Sequence, residues 1–215
     1  WDDSSVKIVT SKGTFFAKKV LLTVSTSILF ENDITMIPEL PAEKRKAIEN
    51  LPMGTLNKIG ISFNKGTFSK KDRGWYVSWP GNEIKSEADI GSFEVNVSGL
   101  DNIVVFAGGR FGEWLEKRGA KTMRDYAITK VEEVLGSKYL KNIEKTITTA
   151  WASDPFSKGS YSYASPSSEN FRSELRKPIC DTLYFAGEAT INKHFGTAHG
   201  AYFSGTNASN EIITG

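Results

Sequence analysis

The chain opens on two runs rich in β-branched and aromatic residues, 6–9 and 14–24, separated by Ser11, Lys12 and Gly13. That turn chemistry predicts a hairpin followed by a buried strand, because 20–24 is apolar apart from Thr23, as in a strand covered on both faces. Pro38 and Pro41 bracket a loop, after which Ala47, Ile48 and Leu51 recur at helical spacing among charged residues and predict a short surface helix over 42–51. Leu56, Ile59, Ile61 and Phe63 predict a strand, and Phe68, Trp75, Val77 and Trp79 a second one after a polar loop. Residues 93–97 and 103–107 read as an antiparallel pair separated by Gly99, Asp101 and Asn102, and Gly108 with Gly109 ends that sheet. The clearest helix is 122–135, where Met123, Tyr126, Ala127, Val131, Val134 and Leu135 share a face and Gly136 stops the run. Further on, the pattern predicts a strand over 143–151, a loop over 154–168, a short buried strand over 182–186 and a final helix over 198–213. The fold class is therefore α/β in the mixed α+β sense, with no repeat or low-complexity tract.

Composition narrows what such a fold does. The 215 residues are 39% hydrophobic and 24% charged, the range of a packed globular protein and not of a disordered or membrane-spanning one. The net charge of +2, from 27 basic and 25 acidic residues, speaks against a nucleic-acid binder. Lys44, Arg45 and Lys46 form the most basic local run, which reads as a solvated helix face. Cys180, the only cysteine, is expected to be buried and inert beside Ile179 and Leu183, and with two histidines no metal centre is expected. No apolar run reaches bilayer-spanning length and no signal peptide opens the chain, so a cytoplasmic setting is the default expectation. The opening Trp1, Asp2, Asp3, Ser4 and Ser5 reads as the interior of a longer protein, with a segment expected upstream.

Chemistry concentrates in 183–205, LYFAGEATINKHFGTAHGAYFSG. A strand delivers Gly187 and Glu188 to its carboxyl end, where open α/β sheets place ligands, and a helix opens near His199, with unpaired N–H groups and the positive end of its dipole. Gly200 beside Ala201 would let backbone approach a flat ligand. Ala201, Gly205 and Ala208 recur along one side of that helix, next to Ser204; helix-to-sheet packing explains this stripe more readily than cofactor contact.

FAGEAT followed shortly by HGAYFSG resembles the C-terminal flavin-binding signature of the FAD-dependent amine oxidases, a group including polyamine, spermine, monoamine and L-amino-acid oxidases and flavin histone demethylases. KKVLLTVSTSIL is similar to that family's strand and following segment, IPELPAEKRKAIENLPMGTLNKIGISF to its next helix and strand, and DPFSKGSYSY to its loop over the flavin. The resemblance implies part of an FAD-binding Rossmann-like domain over 1–37 and 149–215, and a substrate domain with a mixed β-sheet flanked by helices over 38–148. It implies cofactor contacts from Trp151, Ser160, Tyr161, Gly187, Glu188, Thr197, His199, Gly200 and Ala201, with Glu188 orienting the cofactor. Lys58 matches the family lysine that holds a water near flavin N5; read alone it is an ordinary strand lysine, although alternation could point it inward, where desolvation would lower its pKa. Tyr161 matches an aromatic wall that guides a cationic amine. Thr197 replaces the second such wall, which favours an extended or bulky amine. Ser160 stands where monoamine oxidases carry the cysteine bonded to flavin, so FAD should be held non-covalently. Ser25 and Thr26 replace a proline-containing turn common in the family.

The family's N-terminal GxGxxG turn does not occur in this sequence, and Gly108-Gly109-Arg110-Phe111-Gly112 lacks its strand-turn-helix spacing. The isolated chain is therefore expected to bind FAD poorly and to be inactive by itself. The resemblance implies oxidation of a small-molecule amine by hydride transfer to flavin N5, with imine hydrolysis and dioxygen as acceptor yielding peroxide. A non-catalytic fragment or degenerate relative is the alternative.

Overall fold

The computed structural model describes residues 5–166 and 170–214; Trp1 to Ser4, and Ser167 and Ser168 of the expected loop, lie outside the described residues. In chain order the elements are β1 (Val6–Thr10), β2 (Gly13–Ala17), β3 (Val20–Leu22), α1 (Thr26–Phe30), α2 (Ala42–Glu49), β4 (Met53–Gly54), β5 (Leu56–Phe63), β6 (Gly74–Ser78) and β7 (Gly91–Val95). There follow β8 (Asn102–Gly108), α3 (Gly109–Arg118), α4 (Ala120–Leu135), β9 (Ile143–Thr148), β10 (Tyr161–Ser162), α5 (Phe171–Arg176), β11 (Leu183–Phe185) and α6 (Ala198–Thr214). Short 3-10 turns fill several connections. The chain folds into two compact units, Trp1–Gly54 with Asp154–Gly215, and Thr55–Ser153. Residues 38–54, grouped with the substrate domain in the sequence reading, thus pack in the first unit, and Trp151 in the second.

In the first unit β1 and β2 form the expected antiparallel hairpin, β3 pairs in parallel with β11, and β4 pairs antiparallel with β10. Only β11 is buried on both faces; β3 is half-buried over three residues. Its core joins α2 to residues more than a hundred positions later, with Ala47, Ile48 and Leu51 against Leu175, Leu183 and Phe185. Each of the leucine, isoleucine and phenylalanine side chains contributes about 1.5–3 kcal/mol relative to exposure.

Two expectations are overturned here. Lys44 is buried, not solvated: its ammonium donates to the carbonyls of Glu174 (2.7 Å), Leu175 (2.9 Å) and Lys177 (2.6 Å), capping the C-terminal end of α5, and sits 4.4 Å from the Phe185 ring centre. A cation there meets the negative end of the helix dipole and carbonyls that would otherwise lack donors. Cys180 is exposed, because Cys180 and Asp181 form a left-handed turn (φ of 50° and 52°) between Ile179 and Leu183, which pair across it.

The second unit is a five-stranded sheet in the order β6-β7-β8-β5-β9, every pairing antiparallel. Alternation sends Ile59, Ile61 and Phe63 of β5, Phe93 and Val95 of β7, and Ile103 and Val105 of β8 to one face. There they meet Leu115 of α3 and Met123, Ala127 and Val131 of α4. Helix α3 was not anticipated. Gly108–Gly112 lies where β8 runs straight into it, and a Cβ on Gly112 would come within 2.5 Å of the Ala107 carbonyl oxygen, so that glycine serves helix-to-strand contact.

Candidate functional site

Parallel strands β3 and β11 end side by side, and the chain leaves β11 through Gly187, whose φ of +138° suits glycine. A Cβ built there would have nothing within 4 Å. The Gly187 N–H donates to Ser204 Oγ of α6 (3.1 Å), and the Thr190 hydroxyl donates to the Gly187 carbonyl (2.9 Å) while lying 2.5 Å from Ser204 Oγ. Ser204, beside the small-residue side of α6, is thereby committed to this turn. In front of the strand ends lies a cavity of about 220 Å³ lined by Leu22, Thr26, Ser160, Gly187, Glu188 and Ala201 among others.

Glu188 is held from three directions. Ser162 donates through its N–H (2.8 Å) and hydroxyl (2.9 Å), the Gly196 N–H donates at 2.7 Å, and the Arg172 guanidinium stands 3.9 Å away. Arg172, 4% exposed, donates to Ser162 Oγ (2.7 Å), the Ala189 carbonyl (3.2 Å) and the Ser162 carbonyl (3.3 Å), with Phe195 stacked 4.3 Å from it. Burial pulls the guanidinium below its ordinary pKa while Glu188 acts in the opposite sense. Glu188 is therefore neither solvent-facing nor aimed outward: it ties β10, the turn after β11 and the loop before α6 together.

Thr197 caps α6: its hydroxyl accepts the Gly200 N–H (3.1 Å), donates to the His194 carbonyl (2.5 Å), and lies 3.3 Å from His199 Nε2. Gly200 is required by the chain itself, since a Cβ would fall 2.0 Å from the His194 carbonyl oxygen. What approaches Gly200 is backbone, not a flat ligand. The Tyr161 ring lies against the same loop, 3.6 Å from a Cβ built on Gly196. His194, His199 and Phe203 form an edge-on cluster beside it, with His194 and His199 ring centres 4.9 Å apart.

In the second unit Lys58 is exposed on the sheet face opposite the core, its ammonium 5.8 Å from the Phe106 ring centre, and Phe106 stacks on Trp75. The inward orientation is thus corrected, because Asn57 shares the parity of Ile59 and Ile61 and takes the buried place. Fully buried Asn57 donates to Glu116 (2.6 Å) and accepts from the Thr149 hydroxyl (3.1 Å) and the Trp151 N–H (3.2 Å). Desolvation pushes Glu116 up, but hydrogen bonds from Ser153 and Asn57 outweigh it and hold the carboxyl below its ordinary pKa.

Of the residues singled out in the sequence, Ser160, Gly187, Glu188 and Ala201 share the cavity, and Tyr161, Thr197, His199 and Gly200 lie on the adjoining loop and helix start. Lys58 and Trp151 belong to the other unit. Arg172, Asn57 and Thr26 were missed. Arg172 sits in a charged run with no local sign of burial, whereas Asn57 shares the parity of Ile59 and Ile61 on a predicted strand.

A parallel strand pair whose carboxyl ends open onto a glycine turn is where open α/β folds place their ligands. The sequence profile of the flavin containing amine oxidoreductases matches residues 1–213, and the chain belongs to that family. It is 32% identical to polyamine oxidase 4 of Oryza sativa subsp. japonica, over 97% of this chain and 42% of that protein. It is 28% identical to lysine-specific histone demethylase 1 homolog 2 of Arabidopsis thaliana, over 99% of this chain and 29% of that protein. Cyclohexylamine oxidase from Brevibacterium oxydans shares the fold with a TM-score of 0.73 at 18% identity, over 98% of this chain and 46% of that one. The chain thus spans less than half the length of these relatives.

The residues present fit the flavin that the family name carries. Open space at the Gly187 Cβ position leaves room for a ligand against backbone, and the cavity wall mixes apolar Leu22 and Ala201 with hydroxyl groups. Among the described residues, no group of three or more His, Cys, Asp or Glu side chains is placed to hold a metal, and no helix is long and apolar enough to cross a membrane.

Proposed function

We propose that the intact protein oxidises an amine, with non-covalently bound FAD accepting hydride at N5 from the carbon that bears nitrogen, water hydrolysing the imine, and dioxygen regenerating the flavin with release of peroxide. The observation that carries this reading is the cavity at the ends of β3 and β11, lined by Ser160, Gly187, Glu188 and Ala201. Gly187 gives close approach, Ala201 an apolar contact, and Glu188 acts at one remove by fixing the loop that carries Thr197 and His199. Positive helix-end potential at the start of α6 favours an electron-rich group beside it. Tyr161 supplies an aromatic face for the amine, and the small Thr197 leaves room for an extended substrate; polyamine oxidases and histone demethylases among the relatives accord with such a substrate. Lys58 is the proposed lysine that holds a water near the flavin. Ser160 cannot form the thioether that a cysteine would, so acid precipitation should release the flavin entirely.

The test is amine-dependent peroxide release by the full-length protein across spermine, spermidine, aromatic amines, L-amino acids and a methylated lysine peptide. Activity with at least one amine, rising from acid to neutral pH as the amine loses its proton, is expected. A colourless protein that stays inert with added FAD favours the non-catalytic reading.

A further inference from the structure

Strand β5 runs against β9 as a regular ladder only as far as Ile59 opposite Thr148. One residue further the pairing passes to a side chain. The Thr149 N–H donates to the Lys58 carbonyl (3.0 Å), whereas the Lys58 N–H donates to the Thr149 hydroxyl (2.9 Å). That hydroxyl in turn donates to Asn57 Oδ1 (3.1 Å), which also accepts the Trp151 N–H (3.2 Å). The backbone of exposed Lys58 is thus held through the side chain of its fully buried neighbour.

Asn57 is held in its turn by Glu116 of α3. Glu116 Oε2 accepts Asn57 Nδ2 (2.6 Å) and the Ala152 N–H (3.3 Å), and Oε1 accepts the Ser153 N–H (2.7 Å) and hydroxyl. Four donors converge on two oxygens, which a carboxylate completes and an amide would not, because it would turn a donor toward donors. A flipped Asn57 would set its oxygen against that carboxylate and its N–H groups against the Trp151 N–H, so Glu116 fixes which way Asn57 points. The other core-facing residues of β5, Ile59, Ile61 and Phe63, are apolar. A buried amide at this one position costs free energy that an apolar side chain would not, and what it provides is the placement of Thr149 against Lys58.

We propose that Glu116 is a positioning residue for the oxidation of the amine: by fixing Asn57, and through it Thr149, it sets where the backbone of β5 presents Lys58. This rests on the reading of Lys58 as the lysine that holds a water near the flavin.

The experiment compares Glu116→Gln, Lys58→Met and the two combined with the unchanged full-length protein, by kcat and KM for an oxidised amine and by hydrogen exchange without added flavin. Glu116→Gln should speed exchange of the Lys58 amide, which Glu116 does not touch, by about tenfold, and lower kcat about five- to fifty-fold with KM within about twofold. In the Lys58→Met background the same substitution should change kcat by less than about twofold, since its effect runs through the lysine. Adding Asn57→Asp to Glu116→Gln, which exchanges donor and acceptor at their contact, should bring rate and exchange back to within about threefold. Losses that add across the two backgrounds, unchanged exchange at Lys58, or no recovery with Asn57→Asp would overturn the positioning role and leave the lysine reading standing. A Lys58→Met protein as fast as the unchanged one overturns both together, as does an unchanged protein inert toward every amine.

Discussion

One buried charge relation in the first unit joins the helix α5 to the turn after β11. Arg172 is buried against Ser162 and faces Glu188 at 3.9 Å, and Glu188 in turn holds the Gly196 N–H. Replacing only the arginine leaves a mostly buried carboxylate without its cation. Arg172→Met should therefore lower stability by about 2–3 kcal/mol, and adding Glu188→Gln should recover at least half of that loss, as urea unfolding of the four proteins of the cycle would measure. Equal stability of Arg172→Met and the unchanged protein would mean the pair is idle. Glu188 was legible in the sequence through FAGEAT, whereas Arg172 sits in the charged run FRSELRK, where nothing local distinguishes a buried guanidinium from a solvated one. Lys58 shows the opposite case. The parity that buries Asn57 with Ile59 and Ile61 was already written in the alternation, and it sends Lys58 to the uncovered face.

At the scale of elements, the pin between α2 and α5 depends on one ammonium. Burial lowers the Lys44 pKa to about 8 from an ordinary 10.5, with Glu174 pulling the other way. Between those values the unfolded chain binds more protons than the folded one, so stability should rise with pH across that window, by at most about 3 kcal/mol from this group at about 1.4 kcal/mol per unit. Below pH 8 the full cost of burying the charge is present. Lys44→Met should flatten this rise in urea titrations over the same range; an unchanged slope would show that Lys44 keeps an ordinary pKa. The lysine shares a helical face with Ala47, Ile48 and Leu51, three, four and seven positions on, so its burial was readable from spacing even though its charge argued otherwise. Long periodic elements such as α4, β5 and α6 were equally readable. Helix α3 was hidden by glycines at its start and interior, although Phe111, Trp114 and Leu115 carry helical spacing, and α5 is too short for a period to show.

For the whole molecule, sequence order and spatial grouping diverge. The first unit is assembled from both ends of the chain, and the second is inserted between Gly54 and Asp154. Local patterning could suggest that the chain leaves one domain and returns, but it could not place the boundary. What assigns 38–54 to the first unit is the packing of α2 against Leu175 and Phe185, a contact between segments more than a hundred residues apart. The functional claim has the same character, for β3, the loop before β10, and the turn after β11 meet only in the fold. Hydrogen–deuterium exchange of the full-length protein with and without FAD tests it most directly. Slower exchange on adding FAD is expected in residues 22–26 and 186–201, where the cavity wall and the start of α6 lie. Exchange unchanged in both segments, while FAD is demonstrably bound, would contradict the account.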